Sequence, residues 1–91
     1  MSRRRDAHDD QLVIHNRLPM LRAERGWSRK HLAELIGVNY QTIGYLERGD
    51  FNPSLELAFR LSAVFERPIE AIFSTEPFRP LSAAQLIEDH P

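Results

Sequence analysis

A three-residue spacer between two short apolar repeats constrains the fold more than any other feature of this sequence. The spacer consists of residues 37–39. Apolar residues recur with helical periodicity in the segment that follows Ser28 and again in the segment that follows Asn39, and both of these residues are good helix caps. Gly37 begins the spacer and tolerates the positive φ that a tight reversal between helices needs. Two helices this short are not stable alone, so other helices must complete their core. The apolar residues of the two repeats are Leu32, Ala33, Leu35 and Ile36, then Ile43 and Leu46.

Two further segments flank this pair and also have helical patterns. The first helix begins near Asn16, which is a suitable cap, has Pro19 in its first turn and ends at Gly26. The fourth helix is capped by Ser54 and extends to about Phe65. Together with the central pair, which forms a helix-turn-helix unit, these segments predict an all-α fold.

Short elements are predicted at both ends of the helical region. Residues 69–73 follow an Arg-Pro interruption and form a short fifth helix. Residues 11–16 are partly β-branched and flanked by polar residues, so they form either a short strand or the lead-in to the first helix. The expected architecture is therefore a compact five-helix domain with a possible short N-terminal strand.

The chain divides into one domain with a tail at each end. Residues 11–75 are predicted to form the helical domain, and a length of 91 residues predicts a single domain. Residues 1–10 are charged and lack periodicity, which predicts a flexible arm. Residues 76–91 form a C-terminal tail, in which Ser82 is placed to cap a short helix.

Composition and charge distribution limit the kinds of partner and the cellular compartment that we expect. The net charge is only −1, but residues 17–48 hold six Lys and Arg against three Glu, whereas residues 49–76 hold two Arg against five Asp and Glu. A basic half and an acidic half suggest two surfaces with different partners. Cysteine is absent, and no apolar run has the length of a membrane span or a secretory signal. These features predict a cytoplasmic protein without a membrane partner.

No pattern in the sequence predicts catalysis. The four histidines are scattered, so no metal site and no cofactor are expected. A glycine-rich phosphate loop, a G-x-S-x-G motif and a plausible carboxylate pair are all missing from the sequence. We therefore do not expect an enzyme.

Residues 27–49, with the sequence WSRKHLAELIGVNYQTIGYLERG, resemble the helix-turn-helix of the Cro/C1-type (XRE) repressors. The segments NPSLEL and PIEAIF continue the resemblance, which covers residues 16–74. It implies a lambda-repressor-like domain that binds double-stranded operator DNA, usually as a two-fold dimer. In such domains the third helix enters the major groove and the second crosses the DNA backbone.

The resemblance also assigns roles to individual positions. Glutamine at position 41 is suited to the N6 and N7 edge of adenine. Tyr40 lies at a position where many members of the family have glutamine or another small polar residue. The alternative to base contact by Tyr40 is that its ring packs against the second helix. Arg29 replaces a common glutamine and suits phosphate contact. Base contacts are implied for Tyr40, Gln41, Thr42 and Tyr45; phosphate contacts for Ser28, Arg29, Asn39 and Arg48; and an internal ion pair for Arg22 and Glu47.

The fourth helix is more apolar than an ordinary surface helix requires. Glu56 and Arg60 occupy one narrow sector of the helix, and apolar residues cover well over half of its circumference. We expect the excess to form a homodimer interface together with the fifth helix and the tail; cover by the tail of the same chain is the alternative. The interface residues expected are Leu57, Phe59, Val64, Leu86 and Ile87.

These observations predict a sequence-specific DNA-binding repressor that acts as a dimer on a palindromic operator. Two alternatives retain DNA binding: an antitoxin that also binds a toxin protein, and a controller of a restriction–modification system. A third alternative is a protein-interaction module that lacks DNA binding. Steep weakening of binding with salt would distinguish a DNA-binding protein from an apolar protein-interaction module.

Overall fold

The structure is a computed structural model, and it describes residues 12–79. Five helices and two very short strands form a mostly helical domain, as the sequence predicts. The flexible arm expected at residues 1–10 and the tail helix expected behind Ser82 lie outside the described residues. In chain order the elements are β1 (His15–Asn16), α1 (Leu18–Arg25), α2 (Arg29–Ile36), α3 (Tyr40–Arg48), α4 (Leu55–Phe65), α5 (Ile69–Ile72) and β2 (Phe73–Ser74).

Side-chain caps begin the three middle helices where the sequence predicts them. Ser28 Oγ accepts the His31 N–H at 2.9 Å, Asn39 Oδ1 accepts the Gln41 N–H at 2.7 Å, and Ser54 Oγ accepts the Leu57 N–H at 3.1 Å. Each bond satisfies a backbone donor that the helix itself leaves unpaired. The turn between α2 and α3 needs the left-handed conformation at Gly37, whose φ is 75°.

The start of α1 differs from the prediction that Asn16 caps it. The helix begins at Leu18 with Arg17 in the cap position, and Asn16 lies in β1. Asn16 Oδ1 still accepts the Leu18 N–H at 3.0 Å, while its Nδ2 donates to the Leu46 carbonyl of α3 at 3.0 Å. Asn16 therefore connects the start of α1 to the end of α3.

The two strands pair across the ends of the helical region. β1 and β2 are antiparallel, with His15 opposite Ser74 and Asn16 opposite Phe73. Of the two alternatives for residues 11–16, the strand is correct for the last two residues. The predicted fifth helix is one residue too long, because Phe73 leaves α5 and enters β2.

Apolar residues from all five helices form a single core. α2 and α3 contact each other closely, and α4 packs against α2. No helix within residues 12–79 is long and apolar enough to cross a bilayer. The core residues are Leu18, Leu21, Leu32, Ala33, Ile36, Ile43, Leu46, Leu61, Phe65 and Ile72.

Candidate nucleic-acid interface

The helix-turn-helix unit buries one face of α3 and leaves the other accessible. Ile43 and Leu46 are buried against the core. On the opposite face Tyr40 is 55% exposed, Tyr45 is 44% exposed, and Gln41 is exposed as well. Since these side chains project from a helix anchored by its own core residues, they are available to a partner on that side.

The four residues implied in base contact have different surroundings. Tyr40 and Gln41 lie in the exposed first turn of α3, whereas Thr42 is half-buried. Tyr45 is one turn further along, and its ring lies 6.1 Å from the Phe51 ring between centroids. Tyr45 is thus supported on one side, while the ring of Tyr40 has the larger exposed fraction.

An ion pair joins α1 to α3 beneath this surface. Arg22 Nε donates to Glu47 Oε2 at 2.5 Å, and Arg22 Nη2 donates to Glu47 Oε1 at 3.1 Å. The guanidinium also donates to the Trp27 carbonyl at 3.0 Å, just before α2 begins. Glu47 is only 2% exposed, so its charge depends on these partners rather than on water. The pair expected from the resemblance is therefore present as a bidentate contact.

A second arginine reaches the same carboxylate, which the sequence analysis missed. Arg29 Nε donates to Glu47 Oε1 at 2.9 Å. Arg29 begins α2, so Glu47 connects α1, α2 and α3 through two guanidinium groups. Only the charge count hinted at this arrangement, because Glu47 is the single acidic residue of α3 in a basic half of the chain. Arg29 is consequently held in place rather than freely solvated.

Arg48, at the end of α3, is also held by neighbours that the sequence analysis did not assign. Its Nε donates to Asp50 Oδ2 at 3.1 Å, and its Cζ lies 5.2 Å from the centre of the Tyr45 ring. The distance is within the range of a cation–π contact. Arg48 and Tyr45 therefore support each other on the exposed side of α3.

Ser28 and Asn39 occupy helix starts, but their side-chain oxygens already accept backbone N–H groups. The Ser28 hydroxyl and the Asn39 Nδ2 group still have hydrogens that can be donated to a phosphate. The backbone N–H groups of the first helical turns are further donors. Such groups at a helix start attract phosphate through their orientation and the helix dipole.

The expected dimer surface is only partly exposed. Leu57 and Val64 pack against the core and are half-buried, whereas Phe59 is 59% exposed. Leu55, which the sequence analysis did not include, is 71% exposed and lies one helical turn before Phe59. Leu57 and Val64 border the buried face of α4, so only part of each side chain is available to a partner. Leu86 and Ile87 lie outside the described residues.

Comparison with known proteins places this geometry in a family. A family model described as Helix-turn-helix matches residues 20–72, more than half of the chain. The chain belongs to the Cro/C1-type helix-turn-helix family. The match begins within α1 and ends with α5, so it includes every helix of the domain at least in part.

Several relatives of this helix-turn-helix protein are similar over most of their length. An "Uncharacterized HTH-type transcriptional regulator" of Archaeoglobus fulgidus is 40% identical over 60 residues, which is 66% of this chain and 86% of the relative. YgzD of Bacillus subtilis, with the same description, is 39% identical over 69% of this chain and 96% of its own length. A relative from Methanothermobacter thermautotrophicus is 47% identical over 57% of this chain and 77% of its own length.

Proposed function

We propose that this protein is a sequence-specific regulator of transcription that binds double-stranded DNA through α3. The observation that carries the proposal is the exposed row of Tyr40, Gln41 and Tyr45 on α3, with Arg29 and Arg48 beside it. An α-helix fits the major groove, where polar side chains distinguish base pairs and arginines contact phosphates. The relatives described as transcriptional regulators support this reading.

Each residue in and beside this row has a proposed contact that its side-chain chemistry suits. The Gln41 amide has a donor and an acceptor, which match the N7 acceptor and the N6 donor of adenine, so Gln41 recognises one base pair. Tyr40 and Tyr45 contribute apolar ring surface to thymine methyl groups and a hydroxyl to bases or phosphates. Thr42 is half-buried and contributes at the edge of the contact. Arg29, Arg48 and the starts of α2 and α3, at Ser28 and Asn39, contact the phosphate backbone.

We propose that the protein represses transcription by occupying promoter DNA. A homodimer on a palindromic operator covers promoter DNA and blocks transcription, and no cofactor is involved. Two copies related by a two-fold axis place their α3 helices one turn of DNA apart, about 34 Å. The exposed Leu55 and Phe59 on α4 support this association, since both lie on one side of the helix and present apolar surface to water.

Selection of bound duplexes from random DNA tests the proposed function. We expect an enriched inverted repeat whose half-sites are centred about 10 base pairs apart. Affinity for that site should fall steeply as salt rises, because phosphate contacts release counterions. Selection without any enriched sequence, together with binding that salt does not change, would contradict the proposal and favour a protein-interaction module.

Phe59→Glu tests the proposed dimer surface. The buried core should remain intact because Phe59 is largely exposed, but a charge in an apolar interface should dissociate the dimer and weaken operator binding about tenfold or more. Sedimentation velocity and DNA binding at matched concentrations measure the two effects. Val13→Glu is the control, since it adds the same charge at an exposed apolar residue before β1. A Phe59→Glu protein that still sediments as a dimer would exclude this surface.

A further inference from the structure

Gly44 lies in the middle of α3 without a backbone reason to be glycine. The chain has four glycines, and the other three have φ values of 69° to 78°, where glycine is favoured. Gly44 is inside the helix and has no such angle. A glycine in a helix costs about 1 kcal/mol relative to alanine. What Gly44 provides must therefore be space.

Two arginine side chains occupy that space. A Cβ atom added to Gly44 would lie 3.2 Å from Arg48 Nη1 and 3.7 Å from Arg29 Nη1. The first distance is tighter than about nine in ten real Cβ contacts, so the Arg48 side chain would have to shift by a few tenths of an ångström. Both guanidinium groups therefore converge on one point above α3, although they come from different helices.

Each arginine is held at its Nε atom, which leaves its outer end directed to this point. Arg29 Nε donates to Glu47, and Arg48 Nε donates to Asp50. The side chains remain 46% and 52% exposed, respectively, so a partner in solution reaches both. Fixed donors of this kind lose little freedom when they bind a planar or tetrahedral anion.

The charge of the cluster also matches one bound anion. Among the ion pairs within residues 12–79, the three guanidinium groups of Arg22, Arg29 and Arg48 share only the two carboxylates of Glu47 and Asp50, which leaves one positive charge in excess. Two cationic groups directed to one point repel each other unless an anion lies between them. A phosphodiester has one negative charge and two free oxygens, and arginine binds phosphate through charge-assisted hydrogen bonds.

We propose that Arg29 and Arg48 together bind a single phosphate of the DNA backbone, and that Gly44 is the positioning residue that lets them converge. The inference rests on the proposed DNA-binding function and assigns one phosphate site to it. Arg29 and Arg48 act as one unit in this site rather than as two separate phosphate contacts.

The salt dependence of DNA binding distinguishes one shared phosphate from two. Affinity for the selected duplex is measured against salt for Arg29→Ala, Arg48→Ala and the double variant. For a shared phosphate, the slope of log affinity against log salt decreases by about 0.9 in the double variant, and each single variant changes it much less because the other arginine remains. A decrease of about 0.9 in each single variant and twice that in the double would overturn the inference. Arg67→Ala, which removes an equally exposed arginine paired with Glu24 of α1, is the control and should leave the slope unchanged.

Gly44→Ala tests the positioning role independently of the arginine substitutions. Its unfolding midpoint should be at least that of the parent protein, because alanine favours helix. Affinity for all duplexes should nevertheless fall about twofold to tenfold, without a change in preferred bases. In the background of the arginine double variant, the same substitution should have no further effect. A similar loss in that background would mean that the methyl group collides with DNA itself, and this result would refute the role.

The same measurements separate failure of this inference from failure of the proposed function. A parent protein that binds a selected duplex while its variants behave additively overturns only the shared phosphate site. A parent protein that binds no duplex in a salt-dependent manner overturns the DNA-binding proposal and the phosphate site with it.

Discussion

Glu47→Gln is expected to lower the free energy of unfolding by about 3 kcal/mol, because it leaves two arginines without their shared carboxylate. Glu47 is nearly inaccessible to water and accepts hydrogen bonds from Arg22 and Arg29. Glutamine has a similar shape but lacks the charge, and its amide N–H₂ would face a guanidinium donor. Arg22 is mostly buried as well, so water compensates only partly for the loss.

Urea unfolding followed by circular dichroism measures this effect. Glu34→Gln is the matched control, because Glu34 is an exposed glutamate on α2, and its substitution should change stability by less than about 0.5 kcal/mol. Equal unfolding midpoints for the Glu47 and Glu34 variants would show that the carboxylate does not hold the three helices together.

The second large effect is expected for Gln41→Ala, which should remove about 1–3 kcal/mol of discrimination at one base pair of each half-site. Gln41 is exposed in the first turn of α3, so alanine leaves the core unchanged. The substitution removes both the donor and the acceptor that we propose to face a base edge. The phosphate contacts remain, so affinity for unrelated DNA should hardly change.

Competition binding with operators that carry each single base-pair substitution measures the loss of preference. We expect one position per half-site to become tolerant while the remaining positions keep their preferences. Lys30→Ala is a useful comparison, since it changes an exposed residue of α2 and should leave the whole preference profile intact. An unchanged profile for the Gln41 variant would remove Gln41 from the readout.

Helix boundaries show what local sequence determined in this protein. Ser28, Asn39 and Ser54 cap the helices that follow them, and Gly37 and Gly49 end helices in the left-handed conformation. Each cap or turn depends on bonds between residues only a few positions apart, so residue type and spacing predict it. The end of α4 near Phe65 was predicted as well, but the φ of 56° at Glu66, just after it, was not. Glutamate has no preference for that conformation, so nothing in the sequence indicated it.

The candidate interface was predictable to a smaller degree. Helical periodicity separates Ile43 and Leu46 from the exposed Tyr40, Gln41 and Tyr45, because residues three and four apart share a face. The roles of these exposed residues came from the family resemblance and stay predictions. Periodicity alone also failed on α4, where it could not distinguish Leu57, which packs on the core, from the exposed Leu55.

The sequence by itself thus determined the helices, the side-chain caps of α2, α3 and α4, and the buried faces of α2 and α3. Only the tertiary structure decided how charged and polar side chains are shared between helices. Asn16 bonds across to α3, Glu47 binds two arginines at once, and Arg29 meets Arg48 above Gly44. These contacts join residues 18 to 30 positions apart, so they depend on how packing of the apolar faces orients the helices. Many partners suit an arginine or a carboxylate equally well, and only the assembled core brings a particular one within reach.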